Sequence, residues 1–173
     1  MVQATSSKGA KSQKLNMKIG LCGTMSVGKT TLVNALKKLP QFDKYEFATE
    51  RQTVFLAERC GELMYDDIIT DRTIIDVMAF TQNAKSIPYQ DKDKFIEYAK
   101  EFIREYDYIF YISPEGLPIE DNGVRETDEH YRDVIDFTIT SFIRKYAYMM
   151  KNIETIKGTT EERIQQILNI TDL

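Results

Sequence analysis

The sequence predicts an α/β fold in three layers: a five-stranded parallel sheet with helices on both faces. Three observations carry this. Short apolar runs alternate with longer segments of helical period, the pattern of repeated βαβ units. The first run leads through a glycine-rich turn straight into a helix. The run DYIFYIS, 107–113, is nearly all apolar, as a strand covered on both faces should be.

MKIGLC, 17–22, reads as the first strand. KTTLVNALKKL, 29–39, reads as a helix stopped by Pro40. KYEFA, 44–48, is the second strand, and QTVFLAERCGEL, 52–63, is a helix. DDIIT, 66–70, is the third strand and runs into Asp71. IIDVMAFTQNAKS, 74–86, is helical up to Pro88. DKDKFIEYAKEFIREY, 91–106, places apolar residues at 95, 96, 99, 102, 103 and 106, one helical face. After DYIFYIS, residues 113–128 are polar and turn-rich. DEHYRDVIDFTITSFIRKYAYM, 128–149, predicts a long helix, and NIETIKG, 152–158, the fifth strand. TTEERIQQILNI, 159–170, is the closing helix, with Thr159 and Glu162 at capping-box spacing. No internal repeat or second domain is visible.

The 173 residues are enough to bury a core without staples. Residues 1–16 carry Lys8, Lys11 and Lys14, no acid and almost no large apolar side chain. They are expected to form a disordered basic arm before a domain over 17–173. An arm that touches nucleic acid is the competing reading. No apolar run approaches the roughly 18 residues of a membrane span and no leader pattern is visible, so the expectation is a cytoplasmic protein without a membrane partner. The net charge of −4 disfavours nucleic-acid binding by bulk electrostatics. Cys22, Cys60 and His130 lack the spacing of a zinc site, and Cys22 reads as a buried strand residue. Oligomeric state is left open; a homodimer is compatible with the sequence.

Gly23-x-x-x-x-Gly28-Lys29-Thr30 matches the phosphate-binding loop pattern G-x-x-x-x-G-K-[ST] in full. Backbone N–H groups must turn inward around phosphate oxygens there, and glycines permit the necessary angles and approach. The helix that follows points its positive end at the same phosphates. Thr24, Met25, Ser26 and Val27 would form the arch, and Thr31 would continue it. Lys29 would reach the β- and γ-phosphates, and the Thr30 hydroxyl would ligate Mg²⁺. The motif predicts a P-loop NTPase fold and nucleotide binding, but no particular chemistry. The G-protein motif N-K-x-D is absent, which disfavours a GTPase.

Ligands of open parallel sheets gather at the carboxyl ends of strands. Glu50 and Arg51 follow the second apolar run, and Asp71 and Arg72 the third. Phosphoryl transfer needs a carboxylate at the attacking hydroxyl, another near Mg²⁺, and arginines for phosphate charge. Glu50 is the candidate base or hydroxyl anchor, Asp71 the candidate for a metal-bound water, and Arg72 faces acceptor or transferred phosphate. Surface ion pairs are the plain alternative for both segments. Asp76 and Asp107 stand next for the metal role. Arg125 and Arg132 flank the start of the long helix, where a closing lid would carry an arginine over the triphosphate. A solvated helix terminus is the alternative. Gly158 and Thr159 follow the fifth strand, where an adenine ring could rest on backbone; an ordinary αβ loop explains Gly158 as well. Tyr98, Phe102 and Tyr106 share a helical face and read as core. Phe55, Tyr65, Phe80 and Tyr89 lie nearer the acceptor side, where any of them could stack on a base.

Taken together, Gly23–Thr30, ATERQ at 48–52, DRTIIDVMAFT at 71–81, YDYIFYIS at 106–113, a polar lid with Arg125 and GTTEERIQQIL at 158–168 resemble the P-loop nucleoside and nucleotide kinases. The resemblance covers about residues 17–170. The layout is similar to the kinase domain of the bacterial NAD regulator, which phosphorylates ribosylnicotinamide, and to the small, often phage-borne AAA-type ATPase/kinase domains around it. DRTIIDVMAFT looks like the Asp-Arg motif of thymidylate kinases. There are departures. Thymidylate kinases place an aromatic residue or His where Thr73 stands, and a proline that TERQ lacks. Deoxynucleoside kinases carry Glu-Arg-Ser in place of Asp71-Arg72-Thr73. The resemblance implies kinase-type topology, ATP and Mg²⁺, and γ-phosphate transfer to a nucleoside or nucleotide acceptor. A hydroxyl of a modified base or an end in DNA or RNA is the alternative acceptor, and a non-kinase NTPase switch is the second alternative.

Overall fold

The computed structural model describes residues 16–48, 65–114 and 129–173. The expected helix over 52–63 lies outside the described residues. So do the basic arm, apart from Asn16, and the lid, apart from Ser113 and Pro114.

Five strands form one sheet: β1 Lys18–Cys22, β2 Glu46–Ala48, β3 Ile68–Asp71, β4 Tyr108–Ile112 and β5 Ile153–Ile156. Their order is β2-β3-β1-β4-β5, and every pairing is parallel. Among the described residues, five helices surround them: α1 Lys29–Leu36, α2 Ile74–Asn83, α3 Tyr89–Ala99, α4 Glu129–Lys145 and α5 Thr160–Thr171. The central strands alternate as the pleat requires. Ile19, Leu21, Phe110 and Ile112 pack with Leu32, Val33, Leu36 and Ile167 of α1 and α5. Cys22, Ile109 and Tyr111 pack on the other face with Met78, Ile96, Ile135 and Ile139 of α2, α3 and α4. Burying each such Ile, Leu or Phe contributes about 1.5–3 kcal/mol. Both faces are covered, so the expected three-layer α/β fold is present.

The order of the strands places the site. The chain leaves β1 for β2 and β3 on one side, then crosses to β4 and β5 on the other. The reversal falls at the carboxyl end of β1, where such sheets open a crevice. The loop 23–28 starts there.

Helix ends differ from the sequence reading. The segment expected as one helix over 91–106 starts at Tyr89, is α-helical to Ala99, and tightens to a 3₁₀ turn over Lys100–Glu105. The change of period breaks the shared face. Tyr98 is 60% exposed, edge-on to Phe102 at 5.4 Å, so it is not core. Tyr106 is buried, and its hydroxyl accepts from Ile74 N–H at 3.2 Å. α4 likewise stops at Lys145, before a 3₁₀ turn at Ala147–Met149. α1 stops at Leu36, and Pro40 opens its own 3₁₀ turn, Pro40–Phe42. No helix among the described residues is long and apolar enough to cross a membrane.

Candidate functional site: a phosphate loop facing an acid–arginine strand end

The loop between β1 and α1 is shaped by three residues with positive φ: Gly23 (+152°), Ser26 (+58°) and Gly28 (+81°). Ser26 bears that conformation without being glycine, a strain that marks functional loops. The arch is anchored from all sides. Met25 sinks into the α2–α4 core and Val27 into the α1–α5 core. The Thr24 hydroxyl donates to Arg132 O at 3.2 Å on α4. Arg163 of α5 is buried, and its Nη1 donates to Val27 O at 2.7 Å. α1 begins on Gly28 with no side-chain cap, so its first N–H groups are available to an anion.

Lys29 is buried under this arch. Its ammonium donates to Gly23 O and Thr24 O, each at 2.6 Å. The next residue, Thr30, donates its hydroxyl to the Asp71 carboxylate at the end of β3. This pairing follows from register, since Leu21 of β1 lies beside Asp71. Two hard oxygen donors therefore meet at the mouth of the loop. That donor set suits Mg²⁺, which takes one or two protein oxygens and completes its shell with phosphates and water.

Arg72 continues the ladder, its N–H donating to Leu21 O at 3.0 Å, but with φ at +99°. Holding a non-glycine residue there costs on the order of 1–3 kcal/mol. Its guanidinium lies 5.0 Å from the centroid of the Phe80 ring, a cation–π contact. Thr73 then caps α2 in a capping box with Asp76.

Burial and the nearby Arg72 charge lower the Lys29 pKa from 10.5 to about 8, against the opposing pull of Asp76 and Asp71. A bound triphosphate would favour the charged ammonium. Nucleotide affinity is therefore expected to be level below about pH 8 and to weaken above it as the free lysine loses its proton. Calorimetric titrations between about pH 6.5 and 9.5 check this. Burial also pushes the Cys22 thiol well above its ordinary value, with the Asp76 charge adding to it. Cys22 is thus an inert core thiol, as expected from its place at the end of β1. At the end of β4, the Tyr111 hydroxyl donates to Asp136 Oδ1 at 2.7 Å, and burial raises the pKa of both.

The structure thus brings together Gly23, Thr24, Met25, Ser26, Val27, Gly28, Lys29, Thr30 and Thr31 with Asp71 and Arg72. Glu50 and Arg125 lie outside the described residues, as do Arg51 and Phe55. Gly158 and Thr159 stand at the start of α5, where Thr159 and Glu162 form the expected capping box. Gly158 takes φ +93°, a backbone conformation that favours glycine, and a Cβ there would meet the Glu162 carboxylate of the cap. Asp107 does not fit its reserve metal role. It sits at the opposite end of the sheet, accepting from Lys18 N–H at 2.8 Å and from Lys151 Nζ at 2.8 Å. Phe80 carries Arg72, while Tyr65 and Tyr89 are exposed.

Sequence reading missed the supports of the loop. Arg163, Ile167 and Thr171 are the buried residues of α5 and lie four apart, so an arginine on the core face was there to be noticed. Asp76 broke an apolar run three residues after a threonine, at capping-box spacing. Arg132, which the sequence places only at a lid or a solvated helix terminus, is a further support. It is buried, its Nη2 donates to Pro114 O at 2.7 Å, and its backbone carbonyl receives the Thr24 hydroxyl.

The model of the family described as 50S ribosome-binding GTPase matches residues 18–145, about three quarters of the chain. The chain belongs to this P-loop NTPase family. No curated protein matches it in sequence. Among solved structures, it is similar to a deoxyadenosine kinase from M. mycoides with bound dATP, at TM-score 0.64 and 18% identity, covering 91% of this chain and 100% of that one. It is similar to the NadR protein in complex with NR at TM-score 0.64 and 15% identity, covering 92% of this chain and 52% of NadR, so it spans about half of that protein. It is also similar to thymidylate kinase from Candida albicans, at TM-score 0.56 and 12% identity, over 91% and 92% of the two chains. The structural likeness to these proteins shows a shared fold.

Proposed function

We propose that the protein is an ATP-dependent phosphotransferase that moves the γ-phosphate to a nucleoside or nucleotide. One observation carries this most: the strand end that supplies Asp71 to Thr30 on the loop supplies, in the next residue, an arginine in strained backbone that reaches toward Phe80. A single β3 terminus therefore serves a donor side and an acceptor side. The similar folds that are kinases by name support the reading.

In this reading the loop amides from Thr24 to Thr31 cradle the phosphates, and Lys29 leaves its two carbonyls to reach the β- and γ-oxygens. Thr30 and Asp71 hold Mg²⁺, which when bound offsets charge on the transferring group. Arg72 binds the transferred or acceptor phosphate, Glu50 orients the attacking hydroxyl, and Arg125 closes over the triphosphate. Gly158 and Thr159 border the adenine.

γ-labelled ATP offered with a panel of nucleosides, nucleoside monophosphates, and plain and modified-base DNA tests it. Label is expected on a small nucleoside or nucleotide; label on DNA alone would move the acceptor to a polymer. A switch NTPase is the second reading, favoured by the GTPase description of the matching family. The absence of N-K-x-D argues against guanine selection. Steady hydrolysis with no acceptor requirement would favour the switch.

A further inference from the structure

Asp76 is a fully buried acid on α2, set in the apolar run IIDVMAF. Its two oxygens serve different parts of the site. Oδ1 accepts from the Gly23 N–H at 3.0 Å, across 53 residues of chain. Oδ2 accepts from the Thr73 N–H at 2.7 Å and the Thr73 hydroxyl at 2.8 Å. Capping α2 needs only the second set. A buried carboxylate is costly unless its hydrogen bonds are filled. Here the extra oxygen goes to the first amide of the phosphate loop.

We propose that Asp76 is a positioning residue that couples the donor loop to the segment that aims Arg72. Its bond to Gly23 N–H fixes the first peptide of the loop, whose next carbonyl receives Lys29. Its bonds to Thr73 fix the residue directly after the strained Arg72. Any shift of one half moves the other through a single rigid carboxylate. The inference rests on the reading of the loop as a triphosphate site.

The test is MgATP affinity in a set of variants. Asp76→Asn keeps the volume but has one acceptor oxygen, so it cannot accept from the Gly23 N–H and the Thr73 N–H together. The Kd is expected to rise about tenfold, with the melting transition still cooperative. Asp76→Ser falls short of Gly23, and is expected to lose affinity similarly. Thr73→Val, which touches no nucleotide, is expected to weaken binding about threefold in the native background and to add little to Asp76→Asn. A merely structural carboxylate would lower the melting temperature and leave Kd unchanged. Native Kd in either folded Asp76 variant, or additive effects, would overturn the coupling. Where the Asp76 variants do not fold, Thr73→Val decides by the same criterion. Native protein that binds no triphosphate would instead sink the phosphate-loop reading, and the coupling with it.

Discussion

Lys29→Ala is expected to abolish phosphoryl transfer. The ammonium is the one loop cation placed under the arch, buried and held by two carbonyls at 2.6 Å. Those bonds hold it beneath the arch. When a triphosphate arrives, stronger charge-assisted bonds to phosphate oxygens replace them. Alanine removes the cation and leaves the Gly23 and Thr24 carbonyls facing the phosphates, so repulsion adds to the lost attraction. A fall in kcat/KM of at least about 10³-fold follows, equivalent to ~4 kcal/mol. The fold should survive, because the loop stays anchored by Thr24–Arg132, Val27–Arg163 and Gly23–Asp76. Single-turnover transfer beside a thermal melt measures both. Substantial turnover in folded Lys29→Ala would refute the phosphate-loop reading.

Asp71→Asn is expected to lower kcat by about 10²- to 10³-fold while leaving the melt nearly unchanged. The amide oxygen still accepts from Thr30, so the β3–α1 link persists. What disappears is the negative charge that would hold Mg²⁺ beside the phosphates. Activity should then need more Mg²⁺ and partly recover as it is added. A Mg²⁺ titration of both proteins separates this from a simple packing defect, which extra metal would not repair. A near-normal rate at ordinary Mg²⁺ would remove Asp71 from the metal role. Neither reserve residue would take its place: the Asp76 carboxylate is already engaged with Gly23 and Thr73, and Asp107 lies at the far end of the sheet.

Much of the fold was legible because its signals are local. The phosphate loop is a contiguous pattern, and the strands are short apolar runs because a sheet covered on both faces needs them. Helix ends were less legible. At Ala99 the chain tightens from α to 3₁₀ while the residue pattern continues, and only packing reveals that Tyr106 turns inward and Tyr98 outward. Asp71 and Arg72 could be read from their place after an apolar run. Asp76 and Arg163 could not be tied to the loop, since their partners lie 53 and 136 residues away. Gly158 illustrates the converse. Sequence allowed a nucleotide role, and the structure adds a local cause, the left-handed backbone of Gly158 ahead of the α5 cap. The family match and the folds of the similar solved structures meet in one architecture.

The most direct test of the proposed phosphotransfer is stoichiometry. ADP release and acceptor phosphorylation are measured together, with the preferred nucleoside or nucleotide present and absent. A kinase forms one phosphorylated acceptor per ADP and turns over slowly without acceptor. ADP released at the same rate with or without acceptor, with all the γ-phosphate appearing as free phosphate, would contradict the account and leave an NTPase switch in its place.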